Sequence, residues 1–229
     1  RENFQDYAIL YDWLYPGLTA QQRTYYYTTL NDWADLCLNE YAGVSWGTSL
    51  TDSDETVGHY FGLVLHALGS AADNQTKSDY ILAHSKVGGL AYTGGVNMRA
   101  AIYRFCTLAA GGVWIESSSY NLGTLALLLL GAEGVRTATG VDHFPEVTTL
   151  ATGIARQQLH EMTGDLNVPH QWGDVDGSYV RNKQLDRRLR LLGLLAELAA
   201  EPEATQVRNL FHLLTPGGPA PLQNQEEPN

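Results

Sequence analysis

Apolar positions along this chain recur at helical spacing, and period-2 alternation is almost absent. Phe4–Leu14 carries an apolar stripe and stops at Pro16-Gly17. Thr19 then reads as an N-cap for a long amphipathic segment through Tyr25–Tyr27, Leu30, Trp33, Ala34, Cys37 and Leu38 to Tyr41, ending at Gly43. A polar stretch, Ser45–Thr56, leads into a helix predicted over Val57–Ala72. Further helices are predicted over Thr76–Lys86, Asn97–Ala110, Tyr120–Leu130, Phe144–Met162, Leu185–Ala200 and Glu203–Leu214. Glycine-rich or polar loops join them at Val87–Val96, Gly111–Ser119, Ala132–Asp142 and Thr163–Asn182, the last long for a compact domain and therefore a place to look for function. Val113–Ile115 is the one short strand candidate. The expected fold is all-α, built of antiparallel helix pairs as a solenoid or a toroid, and the lack of a fixed-period repeat weighs against the solenoid.

Composition narrows the function. The chain has 229 residues, 10% aromatic and 17% charged, which excludes a disordered protein. Fourteen basic residues against 25 acidic give a net charge of -11, the wrong sign for a general nucleic-acid binder. No apolar run approaches the ~20 residues of a membrane span. Cys37 and Cys106 form no metal pattern and would pair only in an oxidising compartment. The start at Arg1 reads as a processed product. The Pro-, Gln- and Glu-rich stretch 215–229 reads as a linker or loose tail after a domain of residues 1–214, with a second domain expected beyond it.

Three segments could carry chemistry. In the helix after Asp52, Asp54 and Glu55, the residues Phe61, Val64, Leu65 and Leu68 form one face, while His59, Gly62, His66 and Gly69 form the opposite one. Such a stripe either packs closely on another helix or lines a cleft. His59, in the first turns beside the acidic residues, could be an oriented base; His66 reads as packed or solvent-facing. In Gly111–Asn121, Trp114, Glu116, Tyr120 and Asn121 crowd into the turn before an apolar helix. Capping accounts for the serines there, but not for the aromatic, carboxylate and phenol together. In the long loop, Trp172 could stack on a sugar and Asp174 could bind a hydroxyl or a cation, although the D-x-D-G spacing lacks the later ligands of a calcium loop. An Asx-turn around a buried Trp explains the same residues. No nucleophile elbow, phosphate-binding glycine loop or zinc spacing is present.

These segments, together with the opening Ala8–Arg23 (AILYDWLYPGLTAQQR), resemble the helical catalytic domain of heparinase II/III-like polysaccharide lyases over most of the chain, from Tyr7 to about Leu214. The resemblance implies an incomplete (α/α) toroid that binds an acidic polysaccharide and breaks it by β-elimination at a uronic acid. It implies His59 as base or carboxylate neutraliser, Tyr120 or Tyr60 as acid/base, Glu116 as an orienting or substrate-binding carboxylate, and Trp114, Asn121, Trp172 and Asp174 as substrate-binding residues. It also implies a β-sandwich partner domain and a secreted or periplasmic location. Some members of the family use a divalent metal, but no metal site is identified in this sequence. Two other functions fit the same residues. One is a glycoside hydrolase using Glu116 and Asp174 as its paired carboxylates, and the other is a non-catalytic carbohydrate-binding toroid.

Overall fold

The computed structural model describes residues 2–43, 54–87, 90–91, 96–116, 118–141, 144–162 and 181–217. Among these the chain is all-α, with eight α-helices in order: α1 (Glu2–Leu14), α2 (Ala20–Gly43), α3 (Asp54–His84), α4 (Val96–Leu108), α5 (Ser118–Thr139), α6 (Phe144–Glu161), α7 (Arg181–Leu198) and α8 (Glu203–Leu214). A 3₁₀ turn, Tyr15–Gly17, joins α1 to α2. Thr19 and Gln22 close a capping box at the start of α2: the Gln22 N–H donates to Thr19 Oγ1 (3.3 Å), and Gln22 Oε1 accepts the Thr19 N–H (2.9 Å).

The break expected between helices at Val57–Ala72 and Thr76–Lys86 is a kink within α3 at Asn74, whose backbone is non-helical (φ -140°, ψ 31°). Two sequence expectations change. The loop expected at Ala132–Asp142 is mostly the continuation of α5, whose glycines serve helix packing instead of ending the helix. Val113–Ile115 is not a strand. The extended pairing is a two-residue antiparallel ladder, Lys86↔Ala91 and Val87↔Leu90.

Glycine sets how the main helices approach. A Cβ on Gly62 would fall 2.7 Å from the Phe4 ring, and one on Gly69 would lie 3.5 Å from Asp12 Cβ, so α1 and α3 run parallel in close contact. Toward α5, Gly58 faces Leu127, Gly131 faces Phe61 and Gly134 faces Leu65. Residue numbers rise together along both helices, so α3 and α5 are parallel too. Gln5 crosses from α1 to α5, donating to the Leu127 carbonyl at 3.0 Å. The histidine–glycine stripe of α3 thus packs on α1, the first of the two outcomes its pattern allowed. Helix α7 packs on α5, α4 packs on α6, and α6 and α8 pack on α7. The α1–α2 pair is antiparallel, with the Phe4 and Tyr11 rings meeting those of Trp33 and Tyr26.

The larger apolar core gathers α3, α5, α6 and α7 around Phe61, Phe105, Trp114, Leu128 and Ile154, all 0% exposed. A second core joins α1, α2 and α3 around Tyr11, Leu30 and Leu63. Cys37 belongs to the second core, Cys106 packs against the first, and both are free thiols. Burial pushes the Cys106 thiol up to about 12, which leaves it inert as a nucleophile.

Candidate functional site

The turn between α4 and α5 is built to hold a fixed shape. Gly111 and Gly112 have φ of +85° and +87°, left-handed values that favour glycine. At Gly112 there is a further demand: a Cβ would lie 2.3 Å from the Gly153 carbonyl oxygen, so only glycine lets the turn lie on α6. Trp114 follows, fully buried, with its ring 6.5 Å from that of Phe105. Its backbone N–H donates to Asn121 Oδ1 at 2.7 Å, and its indole N–H donates to Glu116 Oε2 at 2.8 Å. The same Glu116 oxygen accepts the backbone N–H of Asp54, the first residue of α3, at 2.7 Å. That amide is one of the donors a helix start leaves without an intrahelical partner. Glu116 therefore ties the start of α3 to the turn that opens α5.

His59 and Tyr120 stand on the two helices so joined, and both are partly exposed. His59 follows Gly58, which faces Leu127 of α5. Tyr120 precedes Leu127 by seven residues, about 10 Å along the axis at the usual helical rise. Both lie within the first two turns of adjacent parallel helices, at the same end of the pair.

The other candidates fall elsewhere. Tyr60 is 1% exposed, with its ring edge-on to Phe61 and Phe105, so it belongs to the core and not to a surface a polymer can reach. Trp114 and Asn121 are each 0% exposed, and their observed part is to brace the turn. Trp172 and Asp174 lie outside the described residues.

A second polar assembly, which the sequence did not announce, lies behind the stripe. Asn31 of α2 and Asn74 of α3 pair through their side-chain amides, and Asn74 Nδ2 also reaches Ser70 Oγ at 3.2 Å. Asn31 Oδ1 accepts the Asn74 amide, and His66 Nε2 donates to the same oxygen at 2.9 Å. His66 is 1% exposed, and its Nδ1 has no hydrogen-bond partner among the described residues. Burial, reinforced by the Lys77 ammonium, lowers its pKa from 6.5 to about 4. The imidazole is neutral at physiological pH and structural in its contacts. The signals available beforehand were an asparagine at the expected helix break and a second histidine on the glycine stripe.

Among the described residues no group of three His, Cys, Asp or Glu side chains could hold a metal ion, and no helix is long and apolar enough to cross a membrane. No family model matches this chain, and neither the curated proteins nor the solved structures include a match to it.

Proposed function

We propose that this chain is the helical domain of a polysaccharide lyase of the heparinase II/III-like kind, arranged as an incomplete (α/α) toroid and acting on a uronic-acid polymer by β-elimination. The toroid reading is supported by the parallel packing of α1, α3 and α5, with α2 antiparallel to α1. The reading of the site is carried by one observation: Glu116 joins the starts of α3 and α5, and so brings the helix turns bearing His59 and Tyr120 to one end of the pair.

The chemistry sets the demands. A uronate C5 proton is very weakly acidic, and charge builds on the adjacent carboxylate as it leaves, so fixed donors must meet that charge. In the proposed step the His59 imidazole takes the C5 proton. The electrons form the C4=C5 double bond, the C4–O4 bond breaks, and the Tyr120 phenol protonates the departing oxygen. Partial exposure suits both groups to meeting a polymer. A hydrolase would instead need Glu116 free to transfer a proton or attack the sugar, whereas one of its oxygens is committed to two N–H donors.

Incubation with a panel of uronate polymers tests the reading. Elimination gives fragments one water lighter than hydrolytic ones, with a near-ultraviolet chromophore from the new double bond. Fragments of hydrolytic mass, or none from any uronate polymer, would overturn it.

A further inference from the structure

We infer that Glu116 is a positioning residue for His59 and not a substrate-binding carboxylate; this rests on the lyase reading above. Glu116 Oε2 takes the indole N–H of Trp114 at 2.8 Å and the Asp54 N–H at 2.7 Å. Trp114 is itself immobilised, with 0% exposure and its backbone held by Asn121. The carboxylate therefore connects a rigid, buried indole to the first amide of α3. His59 lies five residues on, about 7.5 Å along the axis.

The neighbours of α3 explain why its start needs an external tie. Beyond the first turns, α3 is clamped by α1 at Gly62 and by α5 at Gly131 and Gly134. Toward Asp54 the helix runs into the core, with Thr56 and Val57 only 1% and 0% exposed. Helix-start amides beside such a core need protein acceptors, because burial without one is costly. Glu116 supplies the cap from across the chain, and the imidazole direction at 59 follows from whether that first turn is wound.

A substrate-binding carboxylate, an acid/base carboxylate and a positioning carboxylate respond differently to substitution. Glutamine keeps a carbonyl oxygen that can accept both N–H groups, whereas alanine removes the acceptor. For the full chain with a cleavable uronate polymer, positioning predicts that Glu116→Ala loses about 10-fold to 100-fold in kcat with KM nearly unchanged, and that Glu116→Gln recovers most of that loss. A rise in KM common to both variants, or a glutamine variant as slow as the alanine one, would overturn the role.

The His59 imidazole resonance provides a readout independent of turnover. It should shift in Glu116→Ala and return toward the wild-type position in Glu116→Gln. A resonance unmoved in Glu116→Ala overturns the positioning role, even if the wild-type protein cleaves no uronate polymer. A shifted and rescued resonance in a protein without lyase activity would keep Glu116 as the tie and sink the lyase reading alone.

Discussion

Replacing Gly131 by alanine tests the α3–α5 contact that sets the candidate site. Alanine in a helix interior is worth about 1 kcal/mol over glycine, so the substitution should stabilise if the position were open. It is not open. The new Cβ would sit 2.3 Å from Phe61 Cγ, 2.4 Å from Cδ1 and 2.8 Å from Cβ. Because Phe61 Cβ is one of the three atoms, turning the ring cannot clear the clash, and α3 itself must move. Overpacking of this kind costs about 3 kcal/mol at the upper end of its usual range, leaving a net loss of about 2 kcal/mol. Gly193, in the interior of α7, has nothing within 4 Å of its would-be Cβ. Gly193→Ala should therefore gain about 0.5–1 kcal/mol. Urea unfolding of both variants beside the wild type measures the difference. A Gly131→Ala protein as stable as wild type would refute the packing of α3 on α5 described above, and a destabilised Gly193→Ala would refute the open surroundings of Gly193.

Two further outcomes are expected. His66 resists protonation in the folded state down to about 4, against 6.5 ordinarily. The unfolded chain therefore takes up the proton first, and stability should fall as pH drops from about 6.5 toward 4, by up to roughly 3 kcal/mol. His66→Gln should flatten that slope in denaturation curves taken across the range, and a slope unchanged in the variant would contradict the assignment. Arg188 and Glu161 pair with side chains only 4% and 5% exposed, and Gln158 bonds both. Arg188→Met alone should cost about 3–5 kcal/mol by leaving a buried charge. Adding Glu161→Leu should recover much of that loss, as the two unfolding midpoints will report.

Helical periodicity made the fold class and most helices legible, and Glu203–Leu214 has the same bounds in sequence and structure. The misjudged loop at Ala132–Asp142 has a physical cause. Gly131 and Gly134 read as the end of a helix because sequence pattern treats glycine as a breaker. Here they make room for Phe61 and Leu65 from a partner helix that local sequence cannot reveal. The break within α3 was legible, and the kink falls at Asn74 in the expected gap; its partner Asn31, 43 residues earlier, was not. At the candidate site, Trp114, Glu116, Tyr120 and Asn121 crowd into one turn in the sequence and share one braced turn in the structure. Which side chains brace and which face outward was not legible, because burial of Trp114 and Asn121 follows from α4, α5 and α6 meeting around them. The burial of Tyr60 was not legible either, because Phe105 of α4 covers it and local sequence cannot place that helix.

The rate of near-ultraviolet chromophore formation from a uronate polymer, in the wild type and in folded His59→Ala and Tyr120→Phe variants, bears most directly on the proposed chemistry. A loss of about 10²-fold or more in kcat in each variant is expected, as removal of a positioned acid or base gives. Either variant forming the chromophore at the wild-type rate would contradict it.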